Sequence, residues 1–393
     1  MQTRIEWIDL AKGVGIILVV VGHAGRGLQN AGLADPRGLL PVLDQAIYAF
    51  HMPLFFLLSG VVFGIRPVHR VTPDLLKRVW RVFYPMILWT YAFLAMRVVA
   101  GSSSNTQSSL QDMFVLPLPP IEHFWFLWAL LLNFVIFSIL RMGLRPFLSE
   151  VQVWILAVLF AAIANFAIKL PPDLFPYFGQ AVHYSIAFAL GALLGALPLA
   201  SKVPRPAIAL LSLLLFAVIL WVSVALEFSL HWIVQGITLS LLLLPPLVFA
   251  SSKIDRMKLG KGVSYLGVIS LAIYVMHTMF SAALRILLVK LGTDDLTLHL
   301  VFGSAIGIIG PVIVYRIARR YGASRYLGLG WRSDFRCDCS IAFADDAAHA
   351  AGYVHDIPIH HFGNLARGAP RTVARTADQR QLLIRSQLGS DFV

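Results

Sequence analysis

Long apolar runs alternate with short polar breaks along this chain of 393 residues. A helix rises about 1.5 Å per residue, so roughly 20 apolar residues cross the hydrocarbon core of a bilayer. Runs of that length lie near 5–25, 42–64, 82–100, 123–141, 151–169, 181–200, 206–226, 231–250, 262–284 and 296–318. The pattern predicts an all-α polytopic membrane protein with about ten transmembrane helices. Turn formers punctuate the runs: Pro36 and Pro41, Gly101 to Ser104, Pro117 to Pro120, Pro171 with Pro172, and Pro204 with Pro206. The first run carries Asp9 and Lys12 and lacks a small-residue cleavage site, so it reads as a retained span and not as a cleaved signal.

Composition excludes the alternatives. Hydrophobic residues make up 58% and charged residues 13% of the chain, against roughly 25% charged in a soluble domain. The same figures exclude a disordered chain, and two cysteines are too few for a disulfide-stapled domain. A formal charge of +12 would suggest nucleic acid in a soluble protein, but in a membrane protein excess Lys and Arg gather in cytoplasmic loops. With the N-terminus inside, the inner face receives eighteen basic residues, including Arg4, Arg66, Arg70, Lys77, Arg78, Arg81, Lys202 and Arg256. The outer face receives six: Arg26, Arg37, Arg97, Lys169, Arg285 and Lys290. This asymmetry predicts both termini on the cytoplasmic side.

Residues 1–330 read as one transmembrane domain and 331–393 as a disordered or atypical tail. The tail has seven Arg and no Lys, seven Asp and no Glu, and no periodic apolar pattern. Cys337 and Cys339 with His349, His355, His360 and His361 match no standard zinc spacing, so no metal site is expected.

An ionisable residue inside a span is expensive and by default a functional candidate. The first helix holds three. Asp9 and Lys12 are spaced i, i+3 and can pair on one face. His23 lies eleven positions beyond Lys12, roughly 16 Å along the axis and on nearly the same face. Gly13, Gly15 and Gly22 permit close approach by a helix or ligand. Packing alone also accounts for these groups, as an interfacial ion pair and a satisfied histidine.

The segment from Ile8-Asp9-Leu10-Ala11-Lys12-Gly13 to Gly22-His23 resembles the first helix of the acyltransferase 3 family of integral membrane O-acyltransferases, in the branch of fucose 4-O-acetylase-like proteins. Lys12 stands where the family commonly has Arg, and an ammonium cannot make the planar fork of a guanidinium. Further likenesses follow in order: His51-Met52-Pro53-Leu54-Phe55-Phe56-Leu57-Leu58-Ser59-Gly60, Lys77-Arg78-Val79-Trp80-Arg81, His123-Phe124-Trp125-Phe126-Leu127 and Ser270-Leu271-Ala272-Ile273-Tyr274-Val275-Met276-His277. Together they cover about 5–328.

The resemblance implies transfer of an acetyl group from acetyl-CoA to a hydroxyl of a surface polysaccharide, an exopolysaccharide or a lipid-linked glycan precursor, in the bacterial inner membrane. That chemistry needs a base, cations for a phosphorylated donor and hydrogen-bond donors for an oxyanion. His23 suits the base, with Asp9 and Lys12 as its helix partners. Arg78 and Arg81, three apart on one helical face, suit the phosphates together with Lys12, although ordinary positive-inside anchoring also explains them. His51, Glu122, His123, Tyr274 and His277 are candidates for holding the acceptor. Pro53 should loosen the second span beside His51, and Ser270, Tyr274 and His277 form an interior-facing stripe. His183 and His231, at helix ends, carry no expected role. No permanently bound cofactor and no nucleic acid are expected. A membrane transporter of a sugar-lipid or small metabolite is the competing class; against it stand the lack of an internal repeat and the concentration of ionisable groups in the first four helices.

Overall fold

The computed structural model describes residues 6–330 except 36, 66–70, 107, 115–117, 119, 198–202, 227–230 and 255–257. Expectations resting on Arg4, Arg66, Arg70, Lys202, Arg256 and the cysteine- and histidine-bearing tail lie outside the described residues. Twelve α-helices are described: α1 (Glu6–Asn30), α2 (Leu39–Tyr48), α3 (His51–Ile65), α4 (Val71–Ala100), α5 (Trp125–Leu144), α6 (Glu150–Ala167), α7 (Phe175–Ala196), α8 (Pro206–Ala225), α9 (Trp232–Ser251), α10 (Lys258–Val268), α11 (Ser270–Lys290) and α12 (Leu296–Arg320). Ten stretches are long and apolar enough to cross a membrane, with α2 and α3 sharing one and α10 too short to make another. The protein is thus an all-helical polytopic membrane protein.

The outer surface is what lipid demands. On α8, Leu210, Leu211, Leu214, Val218 and Trp221 are all more than half exposed. Hydrocarbon offers no hydrophobic gain for hiding leucine, so helices associate through close van der Waals packing of small residues. Gly60 and Gly64 of α3 face Phe188 and Ala192 of α7, while Gly191 and Gly195 of α7 face Leu57 and Val61 of α3. A Cβ at any of the four would collide with a backbone carbonyl of the other helix. The two glycine pairs, each spaced i, i+4, therefore seat one backbone directly on the other.

Two predicted spans are broken, for different reasons. The second, predicted over 42–64, divides at Ala49 and Phe50, because Pro53 has no N–H to give the carbonyl four residues back. Helix α9 covers the gap. Its Ser240 hydroxyl, 2.7 Å from the Gly236 carbonyl of its own helix, also reaches the Phe50 carbonyl at 3.2 Å, which already accepts from the Leu54 amide at 2.9 Å, so α9 packs against the chain at the break. The ninth, predicted over 262–284, divides at Ile269 into α10 and α11. No proline marks that break. Gly267 and Gly13 there bring α10 and α1 into backbone contact, at the carbonyls of Asp9 and Val263. The expected close approach at Gly13 is thus made by a helix.

The third span begins earlier than predicted, since α4 runs from Val71 instead of from 82. After α12 a short segment folds back on α4, where Tyr84 Oη donates to the Tyr326 carbonyl at 2.5 Å and Trp89 Nε1 donates to the Leu327 carbonyl at 2.9 Å. Arg141 and Arg145 share Glu150, through Nε contacts of 2.7 and 2.9 Å, and so clamp α5 to α6.

Candidate functional site

A cavity of about 380 Å³ lies inside the bundle near the C-terminal ends of α1, α4 and α11 and the N-terminal ends of α5 and α12. His23 and His123 form part of its wall. Their ring centroids are 5.9 Å apart, and each is close to His277, at 5.0 Å from His23 and 5.1 Å from His123. Three spans with no sequence proximity thus bring three imidazoles into one triangle.

The backbone decides which nitrogen each ring offers. Nδ1 of His23 is 2.9 Å from the Val19 carbonyl, and Nδ1 of His277 is 2.7 Å from that of Tyr274 and 3.2 Å from that of Ile273. A carbonyl only accepts, so Nδ1 carries the proton and the lone pair is left on Nε2. Nε2 of His277 and of His123 is buried and has no partner among the described residues. Unpartnered buried nitrogens are uncommon and mark a place where chemistry or a ligand completes the bonding.

His277 and Tyr274 stand behind this wall and do not form part of it. Tyr274 Oη donates to the His123 carbonyl, tying α11 to the start of α5. Both face the interior, as the stripe predicts. His51 is fully buried and also lies outside the wall; its ring packs edge-on against Tyr48 at 4.3 Å, and Tyr48 in turn lies 6.2 Å from His23. Its place is therefore one ring removed from the cavity.

Glu122 does line the cavity, in a left-handed backbone conformation with φ of 49°. A non-glycine residue there costs about 1–3 kcal/mol and keeps that conformation only where its surroundings hold it. Arg97 supplies a hold, with Nη1 3.3 Å from Glu122 Oε1 and Nε donating to the Thr106 carbonyl at 2.9 Å.

Lys12, Asp9, Arg78 and Arg81 are not in the cavity. Asp9 and Lys12 sit in the first turns of α1, roughly 16 Å or more below His23 by helix rise. Arg78 places its guanidinium carbon 5.0 Å from the Phe63 ring centroid, bridging α4 to α3. Arg81 lies twelve residues before Phe93, whose ring is 5.8 Å from His123, a separation of about 18 Å along α4. The predicted cations and the predicted base therefore occupy opposite ends of the bundle.

Several wall residues escaped the sequence reading. Arg26, Arg97 and Arg285, counted there only as outer-face charges, all line the cavity, and Arg97 and Arg285 are buried. Arg26 pairs with Asp44 at 2.7 Å and lies 3.1 Å over the Tyr48 ring centroid. For Arg97 the available signal was an arginine inside the predicted run 82–100, whereas Arg26 and Arg285 each lie one residue beyond a predicted run. His183 and His231 contact Phe175, Phe166 and Trp232 and lie outside the cavity. Among the described residues, no set of three or more His, Cys, Asp or Glu side chains is arranged to hold a metal ion.

A polytopic helical bundle with an imidazole-walled cavity between its helices is the class of protein this geometry defines. The family model described as an acyltransferase domain matches residues 5–316, and the chain belongs to this acyltransferase 3 family. Two curated relatives, both named nodulation protein NolL, match in part. The protein from Mesorhizobium japonicum is 28% identical over 158 residues, 40% of each chain. The one from Sinorhizobium fredii is 33% identical over 133 residues, 33% of this chain and 34% of the relative. The matched stretch is thus well under half the length of either relative. No solved structure matches the chain.

Proposed function

We propose that this protein is a membrane O-acyltransferase that moves an acetyl group from acetyl-CoA to a hydroxyl of a sugar in a surface polysaccharide, an exopolysaccharide or a lipid-linked precursor. The reading puts it in the bacterial inner membrane with both chain ends cytoplasmic. The observation that carries it is the meeting of His23 and His123 in the wall of one cavity with His277 directly behind them, and with the lone pair of His23 left on Nε2.

In the proposed step, His23 Nε2 takes the proton of the acceptor hydroxyl while that oxygen bonds to the thioester carbonyl carbon. The carbon–sulfur bond then breaks, and the imidazolium returns its proton to the departing thiolate. An ester and free CoA replace a hydroxyl and a thioester. Thr278, which lines the cavity with its hydroxyl buried and unpartnered among the described residues, offers a donor to the developing oxyanion. His277 acts as a positioning residue behind His23 and His123. Arg78, Arg81 and Lys12 receive the anionic nucleotide of the donor at the opposite end, and its flexible arm spans the depth between them and the histidines.

Purified protein in nanodiscs, supplied with acetyl-labelled CoA and a deacetylated polysaccharide, should move label to the polysaccharide and release free CoA. Vesicle uptake of a labelled sugar-lipid with no acetyl transfer would replace this reading with a carrier.

A further inference from the structure

Among the described residues, three arginines line the cavity and only two of them meet a carboxylate. Arg26 is matched by Asp44 and Arg97 by Glu122. Arg285, also in the wall and only 8% exposed, has no carboxylate partner among the described residues. A buried cation without a counter-charge is expensive. Its hydrogen bond among the described residues runs from Nη1 to the Gly27 carbonyl, at 2.5 Å. That carbonyl also accepts from Asn105 Nδ2 at 3.1 Å and from the Ala31 amide at 3.2 Å. One oxygen with two lone pairs thus meets three donors, so donors exceed acceptors at this point. A guanidinium carries five N–H groups, and none of the Arg285 nitrogens is sealed away unpaired. The spare donors border the cavity.

From this we infer that Arg285 is a binding residue for an anionic group on the acceptor, a carboxylate or phosphate carried by the sugar. The inference rests on the acyltransferase reading for its acceptor, and on the cavity alone for its charge. Position makes the acceptor the natural bearer. Gly27 is one helical turn, about 6 Å, beyond His23. That is the scale of one sugar ring, so a hydroxyl at His23 and an acidic substituent at Arg285 fit a single residue or its neighbour. His299 in the same wall donates Nε2–H to the Thr293 carbonyl at 2.7 Å, which leaves a buried Nδ1, unpartnered among the described residues, to accept from a sugar hydroxyl.

The test is binding of glucuronate, glucose 1-phosphate and glucose to the full chain in nanodiscs, by calorimetry, together with acetyl transfer to each. Wild-type protein should bind an acidic sugar more tightly than glucose. Arg285→Gln should weaken acidic-sugar binding roughly tenfold to a hundredfold, the worth of a hydrogen bond to a charged group, and Arg285→Lys should restore part of it. Glucuronate against glucose 1-phosphate identifies which oxyanion is favoured. Equal affinity of wild-type protein for glucuronate, glucose 1-phosphate and glucose overturns the inference even where Arg285→Gln fails to fold. So does an effect of Arg285→Gln confined to the KM for acetyl-CoA and absent with S-acetyl-N-acetylcysteamine, which lacks the phosphates. Arg285-dependent binding of an acidic sugar with no acetyl transfer either to it or to the deacetylated polysaccharide would sustain the anion site and remove the enzyme reading.

Discussion

His23, His51 and His277 each place Nδ1 against a carbonyl one turn back, at 2.9, 2.8 and 3.2 Å. The helix backbone itself thereby selects the tautomer, and no neighbouring carboxylate is needed to do so. If His23 is the base, His23→Ala should cut acetyl transfer by about 10²–10⁴-fold while expression and acetyl-CoA binding stay near normal. A normal turnover number per folded molecule would defeat the assignment. At the other end, Arg78→Ala and Arg81→Ala should each raise the KM for acetyl-CoA roughly tenfold to a hundredfold, as loss of a hydrogen bond to a charged group does. The Arg78 change also removes a contact with Phe63, so its melting temperature must be read beside its KM. Unchanged KM at normal membrane levels would reduce both residues to topological anchors. The place of His23 in the cavity wall was legible in the sequence because an ionisable group inside an apolar run is expensive and the surrounding segment resembles a family's first helix. Tyr48 and Arg285 were not, since a tyrosine near a span end and an arginine near a boundary are what any membrane helix carries; only the neighbours contributed by α1, α2 and α11 distinguish them.

At the scale of elements, apolar length foretold nearly every helix, because desolvating a backbone in lipid leaves little choice but to form one. Breaks were legible only where a residue imposes them. Pro53 announced the division of α2 from α3, whereas Ile269 carries no such mark, and α10 parts from α11 where Gly267 meets the backbone of α1. The glycine contacts of α3 and α7 give a test of this packing. Gly60→Ala should lower the melting temperature in detergent, since forcing a methyl into a backbone contact costs about 1–3 kcal/mol. At Gly143 of α5 an added methyl would meet nothing within 4 Å, so Gly143→Ala should be neutral or stabilise by at most about 1 kcal/mol. Equal effects of the two changes would show that the α3–α7 contact is looser than described. The segment after α12 belongs to the same scale. Truncation after Gly330 keeps the bonds from α4 to Tyr326 and Leu327 and should leave insertion and transfer largely intact, whereas truncation after Tyr321 removes them and should lower stability. A correctly inserted protein that loses transfer when cut after Gly330 would give the tail a role.

For the whole molecule, the arrangement of sites makes topology part of the mechanism. The histidine-walled cavity lies toward the end where Asn105 sits, and Arg78 and Arg81 lie toward the end where α10 begins. Between Asn105 and Lys258 the chain passes through five spans, α5 to α9. An odd number puts the two residues on opposite faces whichever way the protein is inserted. The proposed direction rests on charge: with eighteen basic residues against six, the positive-inside rule assigns the Lys258 end to the cytoplasm, the side from which the proposed acetyl-CoA donor would come, and the cavity to the far side. Reporter fusions should therefore read outside at Asn105 and inside at Lys258. Both on one face would break the ten-span count. Opposite faces with the signs reversed would keep the fold but put the arginines on the side away from the donor, and the acetyl group would then have to enter through the cavity mouth beside Arg26, Arg97 and Arg285.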